Sequence, residues 1–197
     1  YQQFHQGGND GFYGNHGFHG TYSEKGENLE AEISLTFDEA AFGCDKMITL
    51  QEADGNRTLK VHIPAGIDTG QSVRLRGKGH PGIGGGEPGD LLLRAKVGTK
   101  PGYERKGADV YTTVNIPYTT AALGGEARVS TLYGDVSCKI KEGTQSGSKI
   151  RLRGKGIVSM KNPNVHGDQY VTVQIQVPRH LNQQARRKLM EYKQACG

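Results

Sequence analysis

The heptapeptide Val73-Arg74-Leu75-Arg76-Gly77-Lys78-Gly79 returns 77 positions later as Ile150-Arg151-Leu152-Arg153-Gly154-Lys155-Gly156, with only Val exchanged for Ile. Self-similarity at a fixed offset is the signature of a duplicated supersecondary unit, so the chain is read as two copies of one folding unit in tandem. The neighbourhoods agree. Upstream of each copy an apolar run closes in a glycine-bearing turn, Ile63-Pro64-Ala65-Gly66-Ile67-Asp68-Thr69-Gly70 and Ile140-Lys141-Glu142-Gly143-Thr144-Gln145-Ser146-Gly147. Downstream each continues into Gly-Asp and an apolar strand, Gly89-Asp90-Leu91-Leu92-Leu93 and Gly167-Asp168-Gln169-Tyr170-Val171. Farther upstream, Ala40-Ala41-Phe42-Gly43 answers Ala121-Ala122-Leu123-Gly124. Within 197 residues this leaves two units of roughly 80 residues, each with a modest core. Thirty glycines and 34% hydrophobic residues predict short strands and many turns.

Leu29, Ala31, Ile33, Leu35 and Phe37 alternate with Glu30, Glu32, Ser34 and Thr36, the pattern of a half-buried strand. Thr36-Phe37-Asp38-Glu39 fits a capping box opening one short helical turn, which Gly43 can end in a left-handed conformation. Lys46, Ile48 and Leu50, a turn at Asp54-Gly55-Asn56, and Leu59, Val61 and Ile63 predict a hairpin. The second unit repeats the scheme. Val110, Thr112, Val114 and Ile116 precede a Thr119 to Leu123 helix; Ala127, Val129 and Thr131 then turn at Tyr133-Gly134-Asp135 into Val136, Cys138 and Ile140. The joint falls near Gly98 to Gly107. In the repeated heptapeptides the arginines face outward, with Val73/Leu75 and Ile150/Leu152 inward, as a strand enters a turn. Residues 1–26, glycine-rich with interleaved Phe, Tyr and His, predict a flexible linker. After Pro178, Asn182 can cap a helix through about Ala195, with Ala185, Leu189, Tyr192 and Cys196 on one stripe. That stripe either packs on the second unit or pairs with its twin in another chain, pairing being preferred.

A net charge of +5 permits an acidic partner, but the 25 basic residues are spread over both units without a block of like charge. The seven histidines lack metal-ligand spacing, there is no Cys-x-x-Cys, and no nucleophile-base arrangement can be argued. The chain is therefore expected not to be an enzyme and to hold no metal or cofactor. Gly82-Ile83-Gly84-Gly85-Gly86 lacks the Lys-Ser/Thr and the following helix of a phosphate loop, and reads as a flexible surface loop. Three scattered cysteines, no apolar run near 18 residues and no signal segment point to a cytoplasmic protein with no membrane association.

The aromatic glycine-rich linker, the Ile33 to Gly43 opening, the Ile63-Pro64-Ala65-Gly66-Ile67 turn, the repeated Arg-Leu-Arg-Gly-Lys-Gly and the Gly-Asp strand closing each unit together resemble a known family. They are similar to the C-terminal client-binding region of DnaJ-type J-domain co-chaperones, a heat-shock family, over essentially the whole chain from about residue 7. Members of the first class carry four Cys-x-x-Cys-x-Gly-x-Gly repeats holding two zinc ions. Here Leu50 to Leu59 is a short turn, so the chain resembles the zinc-free class. His80-Pro81-Gly82 is not the His-Pro-Asp signature of a J-domain, and the chain is expected to be a fragment that begins inside the linker and does not by itself stimulate a partner's ATPase.

The resemblance implies an all-β fold: two tandem β-sandwich or barrel-like domains at residues 27–102 and 103–179, each with one short helix, and a C-terminal dimerisation helix at 180–197. It implies a homodimer that holds unfolded polypeptides by strand addition and apolar pockets and delivers them to a DnaK-type ATP-dependent chaperone through the missing J-domain. Position by position, Ala31, Ile33, Ile48, Leu50 and Leu93 correspond to groove-lining residues, with Leu59 and Val61 on the facing strand. Lys46 aligns with a lysine that holds a partner's acidic tail, and Arg57 stands near a second. Leu181, Ala185, Leu189 and Tyr192 are assigned to dimerisation. Alternation alone reads Ile33, Ile48 and Leu50 as core; the resemblance moves them to the groove. The rival functions are a tandem β-barrel nucleic-acid binder using the two basic strands and a purely structural tandem sandwich. Nucleic acid is the less favoured partner, since no stacking aromatics stand beside the basic strands in the sequence.

Overall fold

The computed structural model describes residues 23–52 and 55–196. Residues 1–22 of the expected linker and Asp54 of the expected hairpin turn lie outside the described residues. The first repeat runs β1 (Leu29–Leu35), α1 (Phe37–Phe42), β2 (Cys44–Glu52), β3 (Gly55–Ile63), β4 (Ser72–Leu75) and β5 (Leu91–Val97). The second runs β6 (Glu104–Lys106), β7 (Asp109–Pro117), α2 (Tyr118–Leu123), β8 (Gly125–Thr131), β9 (Gly134–Ile140), β10 (Lys149–Leu152), β11 (Val158–Ser159), β12 (Asn162–His166) and β13 (Gln169–Gln176). α3 (Gln183–Cys196) follows. The expected all-β tandem of sandwich-like arrangements, one short helix in each, is what the chain forms. Strand β6 and the β11–β12 hairpin were not legible in the periodicity, being only two to five residues long. Among the described residues no helix is long and apolar enough to cross a membrane.

The local signals act as the residues predict. Thr36 Oγ1 accepts from the Glu39 N–H at 3.2 Å and Glu39 Oε2 accepts from the Thr36 N–H at 2.7 Å, a complete capping box. Gly43 ends α1 at φ 74°, ψ 160°, a positive φ with an extended ψ rather than the left-handed helical conformation expected. Asn182 Oδ1 accepts the Ala185 N–H at 2.7 Å and caps α3.

Two compact units make up the described chain. One comprises residues 23–30 and 74–92 and is mostly loop. Its centre is Asp90, buried, which accepts from Arg74 through Nε at 2.7 Å and through a second, closer guanidinium nitrogen, and from the Gly77 N–H at 2.8 Å. The Asp90 N–H donates to Asn28 Oδ1 at 2.8 Å. Around this centre Glu24, Gly26, Glu27 and Leu29 are tied by backbone hydrogen bonds to Ile83, Glu87, His80 and Asp90. The glycine-rich run lies at the surface, as expected, and Gly82 and Gly86 in it pack closely against the backbone of Glu24. A Cβ on Gly86 would stand 1.9 Å from the Glu24 carbonyl oxygen, so only glycine permits that approach.

The other unit holds Ala31–Val73 and the chain from Leu93 onward. Its sheet β10-β13-β7-β6 is mixed, with β13 and β7 parallel from Gln169↔Val110 to Gln176↔Pro117. The β8–β9 hairpin closes over it, bringing Val129 and Cys138 onto Val171 with Val114, Val136, Ile150 and Leu152. A second cluster joins Ile116, Ala121, Ala127, Ile140 and Val173. Each such aliphatic side chain removed from water contributes about 1.5–3 kcal/mol before entropy is counted. The repeated Arg–Asp arrangement recurs here: Asp168 accepts from Arg151 Nε at 2.6 Å and the Gly154 N–H at 2.8 Å, and its own N–H donates to Asp109 Oδ1 at 2.7 Å. The duplicated heptapeptide is therefore a structural clasp, made once per repeat. Phe37 and Ala41 of α1 pack with Val110 and Ile157, and Arg105 donates to the carbonyls of Ile67 and Gly66 at 2.7 and 2.8 Å, which fixes the first repeat's turn to the joint segment.

Candidate functional site

The hairpin β2–β3 gathers most of the residues singled out in the sequence on one face. Its register pairs Lys46 with Val61, Ile48 with Leu59, and Leu50 with Arg57, and side chains on one face of a ladder recur every second residue. Six sites 7 to 15 residues apart across the turn thus become neighbours. The opposite face is polar apart from the exposed Met47: Asp45 pairs with His62 and Lys60, and Thr49 with Thr58.

Depth divides the set. Val61, Leu93, Ile33 and Leu50 are 0%, 1%, 5% and 8% exposed. Ala31, Ile48, Leu59, Lys46 and Arg57 are half-buried. Of the apolar residues in this set, Ile48, Leu59 and Ala31 therefore keep surface exposed to solvent, and Val61, Leu93, Ile33 and Leu50 do not.

Beside this face lies a strand edge. In the sheet order β1-β5-β4, β1 stands at the end, and among the described residues no strand pairs with its other side. Lys46 reaches that strand: Nζ donates to the Ser34 carbonyl at 2.9 Å and to Glu39 Oε1 and Oε2 at 3.2 and 3.1 Å. The Thr36 N–H, and after it the Lys46 ammonium, hold the Glu39 carboxyl below the ordinary carboxylate range. Ser34 and Glu39 were not singled out in the sequence. Glu39 was visible only as a helix cap, and nothing local signals its second partner.

The second repeat differs in both features. The pair Val129/Val136 occupies the place of Ile48/Leu59, and Val129 is buried in the hairpin-to-sheet cluster while Val136 is half-buried. The edge of β7, the counterpart of β1, is partly taken by β6, which pairs Glu104 with Tyr111 and Lys106 with Asp109.

The basic strands have a different environment from the one expected. Arg151 is opposite Tyr170, which stacks on Tyr111 at 5.2 Å and 18°, so aromatic rings do stand beside this strand in the fold. Tyr111 and Arg151 are each already engaged, however. Lys106 covers Tyr111 at 4.8 Å, and Arg151 is spent on Asp168 as Arg74 is on Asp90.

Leu181, just before α3, and Ala185 on it are half-buried, while Leu189 and Tyr192 are exposed together with Met190. Leu181, Leu189, Met190 and Tyr192 border an open apolar depression. The Tyr118 hydroxyl donates to the Tyr192 hydroxyl at 3.0 Å, and their rings meet edge to face. Among the described residues no cluster of His, Cys, Asp and Glu could hold a metal ion.

The model of the family described as DnaJ C terminal domain matches residues 29–178. Chaperone protein DnaJ of Lachnospira eligens is 45% identical over 139 residues, 71% of this chain and 37% of that protein. Chaperone protein DnaJ of Clostridium botulinum strain Eklund 17B is 43% identical over 157 residues, 78% of this chain and 42% of the relative. That of Burkholderia thailandensis is 47% identical over 141 residues, 72% and 37%. The chain thus spans about two fifths of the curated relatives it matches. With the match running from the first residue of β1 to just beyond β13, the chain belongs to the DnaJ C-terminal domain family.

Proposed function

We propose that this chain is the client-binding region of a DnaJ-type co-chaperone, and that the site is the open edge of β1 flanked by Ile48, Leu59 and Ala31. The observation that carries the reading is the coincidence, in the first repeat only, of a free strand edge and a half-exposed apolar pair. Backbone pairing is offered by every extended polypeptide, and shallow apolar pockets accept alternate side chains, so such a site binds many unfolded segments weakly. Ile33, Leu50, Val61 and Leu93 form the floor that shapes it. Lys46 and Arg57, at the rim, are the groups an acidic segment of a partner meets. Two such chains joined through Leu181, Ala185, Leu189 and Tyr192 hold two sites together, which raises the effective affinity for one long client without new contacts. In the parent protein, cytoplasmic in this reading, clients pass from here to a DnaK-type ATP-dependent chaperone through a J-domain. No catalytic step is required.

Anisotropy titration with a labelled apolar extended peptide, beside a labelled oligonucleotide, tests this at low and high salt. Saturable peptide binding that survives salt and weakens on Leu59→Ser is the expected result. Oligonucleotide binding alone, collapsing with salt, overturns it.

A further inference from the structure

Strand β1 carries its own obstacle to an added strand. The Gly98 N–H donates to the Leu35 carbonyl at 2.8 Å, so the backbone groups of Leu35 face the β5 side. Backbone groups of successive residues in a strand alternate sides, which turns those of Ser34 and Glu32 toward the open edge. On that edge the Ser34 carbonyl already accepts from Lys46 Nζ at 2.9 Å. The lysine is held in place from behind. Both Glu39 oxygens lie within 3.2 Å of Nζ, and Glu39 is itself anchored by the 2.7 Å hydrogen bond from the Thr36 N–H. A helix cap thus fixes a carboxylate, the carboxylate fixes an ammonium, and the ammonium covers the carbonyl that a pairing strand needs.

We infer that Lys46, held by Glu39, is a gate on the β1 edge: an extended peptide adding to β1 must first lift Lys46 off Ser34. Charged side chains, lysine above all, are a common means of protecting sheet edges from unwanted pairing. This one is suited to being displaced. The side chains of Lys46 and Glu39 keep 33% and 30% of their exposure, so the ion pair is weakened by water and by salt and can open without unfolding anything. The gate suppresses edge-to-edge association of free molecules while leaving the edge available to a client that fills the Ile48/Leu59 surface as well. The inference rests on the proposed client groove, and identifies Lys46 and Glu39 as residues that set its affinity rather than line it.

The test is a titration of the full chain with a labelled, neutral, end-blocked apolar peptide, using wild type, Lys46→Met, Glu39→Gln and Leu59→Ser, at low and high salt. Methionine keeps the aliphatic stem without the charge, and glutamine retains the capping box, so both variants are expected to keep the wild-type Tm within a few degrees. Lys46→Met should bind about fivefold more tightly and Glu39→Gln about twofold, the range spanned by partly exposed ion pairs. Wild-type affinity should rise with salt as the pair is screened, and that of Lys46→Met should stay flat. If Lys46→Met binds no tighter while Leu59→Ser still weakens binding, the gate is wrong and the groove stands. If neither wild type nor Lys46→Met binds the peptide, the groove reading itself fails.

Discussion

Ile48 stands directly opposite Leu59 across the β2–β3 ladder, and both are half-buried where their counterpart pair in the second repeat begins with a fully enclosed Val129. Partly exposed side chains leave a smaller cavity when shortened than enclosed ones do. Ile48→Ser and Leu59→Ser are therefore expected to weaken peptide binding about tenfold each while lowering stability by no more than about 1 kcal/mol. Anisotropy and thermal unfolding of the same samples check this; a large loss of Tm with unchanged affinity would show that the pair belongs to the core.

Leu50 and Val61 lie on the same face but are 8% and 0% exposed. Leu50→Ser leaves a cavity and a buried hydroxyl, and is expected to cost roughly 2–4 kcal/mol in denaturant unfolding. Its effect on binding should track the lost stability, so restoring the fold with a stabilising co-solvent should restore much of the affinity.

Asp90 and Asp168 make the same clasp, and their carboxyls are held below the ordinary range first by the N–H of Gly77 and Gly154 and then by Arg74 and Arg151. A carboxylate whose folded pKa is depressed contributes stability that is fully present above its unfolded value of about 3.9 and is lost as pH falls through the folded value. Asp168→Asn and Asp90→Asn should lower the Tm by several degrees at pH 7. The gap from wild type should close progressively below about pH 4, as measured by thermal melts across that range.

Gly86→Ala forces a Cβ onto the Glu24 carbonyl, whereas a Cβ on Gly85 meets open space at a φ of 83°. Gly86→Ala should release the Glu24–Gly26 segment from the loop, and trypsin should then cut after Lys25 at least several times faster. Gly85→Ala carries only the backbone cost of a left-handed residue, about 1 kcal/mol, and should leave that cleavage rate near wild type.

α3 has no buried residue of its own, and Leu189 and Met190 are 45% and 57% exposed. If pairing of two chains runs through this helix, Leu189→Asp should convert the dimer to a monomer in sedimentation equilibrium with little change in the melting of the β domains. A dimer that survives both this change and truncation after Pro178 places the contact elsewhere.

The residues alone determined the duplication, the alternating strands, the Thr36–Glu39 capping box, the Asn182 cap and the outward arginines of the repeated heptapeptide. These depend on side-chain period and turn chemistry between near neighbours in the chain, which a one-dimensional pattern carries in full. Alternation put Ile48 and Leu50 on one face and read both as core, and it cannot tell an enclosed residue from one at the rim, so the two were indistinguishable until their depths separated them. Only the tertiary structure decided that Lys46 lies on Ser34, 12 residues away, that Asp90 takes Arg74 across 16, and that Gly82 and Gly86 lie against the backbone of Glu24. It also decided how much of each edge stays open, since the three residues of β6 occupy part of β7 and nothing described does so for β1. Those outcomes depend on which elements come to lie side by side, a matter of close packing and of satisfying backbone polar groups in three dimensions that no local period encodes.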